Sequence, residues 1–216
     1  MNESLPRPRA SKALWLDAAY ELLISEGIDA VKVMSLAKRL NLTRTGFYWH
    51  FKDISELHAA MIDRWKTQNT GNLVARCRQD ASGLCEALFN LMDCWLDPML
   101  FDAPLDLAIR NWARVNPDLQ VQLSEADNLR IKAVTDIFTR YGSSKEHADV
   151  RGLTVIYTQI GYISMQIKET RADRLARVQH YVELFAGIPP TEEEVAQFLN
   201  RHRLTGSGPH REMSAV

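Results

Sequence analysis

Lys32, Lys38, Arg39, Arg44 and Lys52 fall within a stretch of twenty-one residues that holds no acid, in a chain of 216 residues with a formal net charge of -1. Such a local patch concentrates polyanions even when the whole chain is nearly neutral. The residue types fit two kinds of contact with a duplex. Hydroxyls, backbone N–H groups and cations hold phosphates, and Thr43, Tyr48, His50 and Lys52 supply them. A guanidinium fork at the start of a short helix can read a base edge, and Arg44 is the candidate of that kind. Thr45 and Trp49 share the same outer side. Taken alone, the pattern also fits a solvated basic face.

Two further groups could do chemistry. Phe89, Met92, Trp95 and Trp112 project from two consecutive helical segments and can line an apolar, adaptable cavity, or simply fill a core. Arg110 and Asp127 are charges in otherwise apolar, periodic segments. They can grip a polar ligand group or bridge two helices as an ion pair. The six histidines form no HExxH pattern, and there is no GxSxG, P-loop or GxGxxG. No catalytic residue, metal ligand or cofactor motif is therefore expected, and the expectation is a protein that is not an enzyme.

The elements that must position these residues are helical. Nearly every segment has a 3.6-residue apolar period, and no run alternates as a strand does. The periodicity predicts helices over residues 11–26, 33–40, 43–49 and 54–68, then 83–96, 105–115, 119–141, 145–169, 172–186 and 192–203. Gly27 sits where a left-handed stop is cheapest, and Asn41 tolerates the same conformation in a tight turn. Thr43, Asp53 and Thr191 are placed to cap the helices that follow them. Leu36, Ala37 and Leu40 face inward from one short helix, while Leu42 and Phe47 plug its joint with the next. The sequence KVMSLAKRLNLTRTGFYWHF, residues 32–51, thus reads as a helix-turn-helix.

In the body, the segment 145–169 carries a stripe of Tyr157, Ile160, Gly161, Ser164 and Met165, and the next segment offers Val178, Val182 and Phe185. Apolar coverage on several sides implies burial on several sides, and Gly161 permits close helix approach. Two such helices from each of two subunits would form a four-helix interface.

Bulk properties bound the alternatives. The composition is 46% hydrophobic and 25% charged, ordinary for a globular chain. The longest uncharged run, residues 152–167, is too short and too polar for a membrane span, so no membrane partner is expected. The first ten residues have no apolar core of the kind a secretory signal needs. Cys77, Cys85 and Cys94 cannot all pair and form no CxxC, which points to a reducing cytoplasm. Arg7, Arg9 and Lys12 suggest a basic arm over residues 1–10 able to enter a minor groove, or else a solubilising tail. Residues 204–216 read as disordered.

Residues 11–60 resemble the N-terminal domain of the TetR family of bacterial transcriptional regulators. The resemblance rests on Gly27, Leu36-Ala37, Leu42-Thr43, Phe47-Tyr48, His50-Phe51 and Leu57. Lys32 stands where the family usually has a Thr or Ser cap, Asn41 replaces the usual Gly, Thr45-Gly46 reverses Gly-Thr, and Ile54 replaces the lysine that usually opens the fourth helix. The last departure removes one phosphate contact; Lys52, or the helix terminus capped by Asp53, would have to take its place. The resemblance implies an all-α protein: a three-helix DNA-binding domain at 11–60, and a helical domain at 61–203 that binds a small-molecule effector and dimerises. It implies a homodimer on a double-stranded, palindromic operator, more a repressor than an activator, released by ligand. A helical ligand-binding or adaptor protein without DNA function, and an uncharted all-α enzyme, remain the alternatives.

Overall fold

The computed structural model describes residues 11–204. Every regular element among them is a helix. In chain order these are α1 (Lys12–Glu26), a single tight turn (Ile28–Ala30), α2 (Val33–Leu40), α3 (Arg44–Tyr48) and α4 (Ile54–Trp65). A widened turn (Lys66–Gly71) leads into α5 (Asn72–Cys77). Then come α6 (Leu84–Leu96), α7 (Ala103–Ala113), α8 (Pro117–Arg140), α9 (Lys145–Ser164), α10 (Arg171–Ala186) and α11 (Glu192–Leu204). Arg7 and Arg9 of the expected arm lie outside the described residues, as does the expected tail apart from Leu204. Lys12 belongs to α1 rather than to an arm: it pairs with Glu56 at 3.4 Å and sits 4.9 Å over the Phe51 ring.

The helix ends follow from local chemistry. Ser11 Oγ accepts from the Leu14 N–H at 3.1 Å and starts α1. Gly27 stops it with φ at 85°, a conformation that other residues seldom adopt. Asn41 turns the chain in the left-handed region, with φ at 53°, and its N–H reaches back to the carbonyls of Ala37 and Lys38.

Two boundaries depart from the periodicity. The helix expected over 54–68 is regular only to Trp65, then widens, and the helical path continues to Cys77. The cause is polar: Asn69 and Thr70 are buried in the widened turn, and Asn69 exchanges two hydrogen bonds with the Asp102 backbone at 2.9 and 3.0 Å. The helix expected over 145–169 ends at Ser164, and Gln166 adopts φ of 49°. Glu169 is thereby freed to bind Tyr162, Arg174 and Arg177, while Thr170 caps α10 through the Asp173 N–H at 3.1 Å.

The contacts divide the chain into two compact units, which cut across the 60/61 boundary drawn from sequence. One holds the described residues through Asn72 together with Pro98–Arg130; the other holds Leu73–Asp97 and the chain from Ile131 onward. In the first, Trp15, Leu22, Leu36, Phe47, Leu57 and Trp65 form a continuous apolar core with Leu105 and Ile109 of α7. Beside it lies a buried polar cluster. Asp106, with no exposed surface, accepts from Trp65 Nε1 at 2.8 Å, Arg130 at 3.0 Å and Arg110 at 2.8 Å. Arg130 also donates to Thr70 Oγ1 at 2.9 Å and lies over the rings of Trp65 and Phe101. In the second unit, α6 packs against α10 and α11, with Phe89 stacked on Phe198 at 4.7 Å. His202 Nε2 meets Asp93 there at 2.8 Å.

Among the described residues no helix is long and apolar enough to cross a membrane. The three cysteines are unpaired.

Candidate nucleic-acid interface and ligand cavity

The exposed surface around α3 begins with a cap. Thr43 Oγ1 accepts from the Gly46 N–H at 3.1 Å, which fixes the start of α3. Five residues cannot hold a helix by themselves. Phe47 supplies the anchor. It is fully buried, 5.4 Å edge-on to Trp15 and 5.4 Å stacked on Phe51. Loss of such a ring costs about 3–5 kcal/mol, so α3 is held by one inward side chain. With Phe47 turned in, Thr43, Arg44, Thr45, Tyr48, Trp49 and Lys52 are exposed, and His50 is half-buried. Trp49 is 82% exposed and Tyr48 50%, large apolar surface for a chain to leave in water. All seven residues singled out from sequence are therefore on one short, accessible segment. Met34 on α2, 61% exposed, was not singled out; its place on the outer side of α2 was the available signal.

The charges on this surface are largely unspent. Arg39 pairs with Glu21 at 3.0 Å. Lys32, Lys38, Arg44 and Lys52 have no acidic partner among the described residues. The start of α4 is closed to an anion, because Asp53 Oδ1 already accepts the Glu56 N–H at 2.9 Å. Glu56 in turn accepts the Lys52 backbone N–H at 2.7 Å, which holds its carboxyl below the usual range. Ile54 is half-buried and packs on the core, so the position that carries a lysine in the resembled family is used here for packing.

The six residues expected around a ligand are not gathered in one place. Met92 and Trp95 line a cavity of the second unit, together with Leu96, Val178 and Phe185. It is a half-open pocket rather than a sealed void. Phe89 is instead buried against Phe198. Trp112 belongs to the first unit, with its ring 5.1 Å from His58. Arg110 and Asp127 bind each other in a two-pronged pair at 2.7 and 2.8 Å. They are the outer part of the Asp106 cluster and take the bridging role, the second of the two readings open for them.

The cavity has a polar end that periodicity concealed. Glu169 binds Tyr162 Oη, Arg174 and Arg177. Arg174 spends its remaining nitrogens on the Trp95 carbonyl at 2.9 Å and the Tyr162 hydroxyl at 2.8 Å. The signal was present: Thr170-x-x-Asp173 is a capping pattern, and it would have placed Glu169 in a linker.

Of the stripe expected at a subunit interface, Tyr157, Ser164 and Met165 are exposed, Ile160 and Gly161 intermediate. A side chain built at Gly161 meets nothing within 4 Å. Val150, Leu184 and Ile188 are further exposed apolar residues on α9 and α10 or just after. Val178, Val182 and Phe185 do not share this face. They are buried inside the chain's own second unit, where α10 packs against α6.

Residues 16–61 match the family model described as bacterial regulatory proteins, tetR family. No curated relative matches the sequence. Solved structures share the fold. Salmonella enterica GusR has 15% identity, covers 88% of this chain and 98% of its own, and superimposes with a TM-score of 0.62. The fatty acid degradation regulator FadR from Bacillus halodurans has 16% identity, 86% and 97% coverage and a TM-score of 0.60. A TetR transcriptional regulator from Legionella pneumophila has 17% identity, 94% and 99% coverage and a TM-score of 0.57.

Proposed function

From a chain that carries the N-terminal domain of the tetR family of bacterial regulatory proteins at residues 16–61, and the fold of such regulators over most of its length, we propose a cytoplasmic homodimeric repressor. It binds a palindromic operator and releases it on binding a small molecule. Regulators of this family are transcription factors rather than enzymes. The observation that carries the proposal is the exposed, unneutralised set around α3: Arg44 at its start, Thr43 and Thr45 beside it, and Tyr48, Trp49, His50 and Lys52 at its exit. Arg44 reads a base in the major groove; Thr43, Tyr48 and Lys52 hold phosphates.

A palindromic site calls for a twofold protein with reading helices about 34–36 Å apart, or a multiple of that distance. The exposed face of Tyr157, Gly161, Ser164 and Met165 is the surface through which two copies join, flanked by Leu184 and Ile188. The cavity beside Trp95 takes the effector. A ligand acts only through its preference for one state, and a preference near 10⁴-fold, about 5.5 kcal/mol, swings the population from bound to free geometry.

The test starts from a random-sequence duplex pool, from which the full chain selects its site. Binding to the selected duplex should weaken steeply with salt, as phosphate contacts require. Arg44→Ala should cost about 1–3 kcal/mol and relax preference at one position per half-site, whereas Lys52→Ala should weaken all sequences alike. Selection of no sequence, or an unchanged ranking of operator variants with Arg44→Ala, overturns the reading.

A further inference from the structure

The cavity of the second unit has a definite chemical polarity. Its walls are apolar side chains of α6, α9 and α10, among them Met92, Leu96, Val155, Val178 and Phe185. The charged side chains that line it are Glu169, Arg174 and Arg177, one acid against two cations. Glu169 is almost wholly withdrawn from solvent, at 8% side-chain exposure; its Oε1 accepts from Tyr162 and Arg174, while its Oε2 lies against Arg177 without a hydrogen-bond partner among the described residues. Arg174 has every nitrogen placed on a protein acceptor. Arg177 does not. Its Nη2 meets Glu169 and its Nε the Asp173 carbonyl, while Nη1 has no acceptor among the described residues and the side chain is half exposed. A guanidinium in that state, at the edge of an apolar wall, presents a net positive charge to whatever fills the space.

A second donor points to the same chemistry. The Trp95 indole N–H is buried and has no hydrogen-bond partner. Buried donors left unpaired are rare and costly, and such a group in a cavity wall marks a place where an acceptor belongs. One unpaired neutral donor, and two guanidinium groups against a single carboxylate that both of them already contact, together favour an acceptor that carries negative charge. A cationic ligand would find its only carboxylate already shared between two guanidinium groups.

We propose that this cavity binds a small organic carboxylate, its apolar body among Met92, Val178 and Phe185 and its anionic group toward Arg177 and the Trp95 N–H. The proposal rests on the effector reading above and gives that effector a chemical class. Arg174 and Glu169 are positioning residues: they hold the Trp95 carbonyl, Tyr162 and Arg177 in place.

The experiment measures binding to the full-length protein by calorimetry, checked by thermal shift. The probes are hexanoate, octanoate, benzoate and phenylacetate, each against its matched alcohol and amine. At least one carboxylate should bind tenfold or more tightly than its neutral and cationic counterparts. Arg177→Gln should remove most of that preference and leave the alcohol's affinity unchanged. Trp95→Phe keeps the ring and deletes the donor, and should weaken the carboxylate about tenfold, since bonds to charged groups are the strong ones. Equal affinity for alcohol or amine, carboxylate binding that survives both substitutions, or no binding by any of the four acids overturns the proposal. Release of the selected duplex is scored separately. Carboxylate binding without release sustains the ligand class and sinks the effector role, whereas release by an uncharged or cationic molecule with no carboxylate bound does the reverse.

Discussion

Arg44 and the lysines around it are exposed and have no acidic partner among the described residues; around Asp106 the charged side chains are buried and paired. Both regions belong to the first unit, and both use arginine. At the surface, Lys32, Lys38, Arg44 and Lys52 keep their hydration and cost the fold little, so their charge is available to a phosphate or a base. In the interior, Arg130 is 3% exposed and must be paired. Its guanidinium is met by Asp106, Asp127 and Thr70, and the flat faces of Trp65 and Phe101 cover it. One arrangement leaves chemistry for a partner; the other leaves none.

The sharpest way to break this contrast is Asp106→Ala. Burial alone would raise the Asp106 carboxyl, but Arg130 and Arg110 outweigh it and hold the group below its usual range. Removing one partner of a buried ion pair strands the other charge, at about 3–5 kcal/mol. The melting temperature should fall by about 10 °C or more. Arg44→Ala should leave it nearly unchanged, within about 0.5 kcal/mol, while weakening operator binding. Because the Asp106 carboxyl is depressed, its contribution is present above the ordinary value of 3.8 and is lost as pH falls below it. The acid limb of the wild-type stability curve should therefore be blunted in the variant. Equal melting temperatures for Asp106→Ala and Arg44→Ala would erase the distinction between the two regions.

The helix-turn-helix was legible because its determinants are local. Cap, turn and plug residues lie within a few positions of one another, so Thr43, Asn41 and Phe47 could be assigned from spacing, and Asn41 does take the left-handed turn. The Asp106 cluster was legible only as an oddity, two charges at 110 and 127 in apolar segments. Its centre, Asp106, the neighbouring pair Trp65 and Thr70, and Arg130 come from three separate stretches, and no period links them. The cavity shows the same limit. Phe89 and Trp95 share one helix; Phe89 turns to Phe198 and Trp95 lines the cavity, and what each meets is decided by the packing of distant α10 and α11.

Two glycines of α9 carry the comparison into the second unit at lower cost. A Cβ at Gly152 would lie 2.3 Å from Thr135 Oγ1 and 3.1 Å from the Thr135 backbone nitrogen, so the helices themselves must move. Gly152→Ala should destabilise by about 1–3 kcal/mol. At Gly161 the same atom meets open space. Gly161→Leu should fold with wild-type stability as a single chain, yet give monomers and lose tight operator binding. Chemical denaturation with sedimentation on both variants separates the roles. A stable, dimeric, DNA-binding Gly161→Leu protein removes Gly161 from the subunit interface.

The smallest effect expected comes from His58, which lies between the two extremes: half-buried, edge-on to Trp112 at 5.1 Å, with its Nε2 buried and unpartnered. Burial disfavours the charged ring and lowers its pKa, and a bond with the Val31 backbone recovers only part of that loss. A lowered pKa means that the unfolded chain binds the proton more readily. Stability should then decline as pH falls from about the ordinary histidine value of 6.5 toward the folded value, and be unaffected by this group above it. Solvent reaches part of the ring, so the change should be well below that for Asp106. His58→Gln should flatten the melting temperature between pH 7 and pH 5.5 relative to wild type, as measured by calorimetry in matched ionic strength. A variant whose melting temperature declines over that interval as steeply as the wild type's would show that the proton is taken up elsewhere and that His58 only packs.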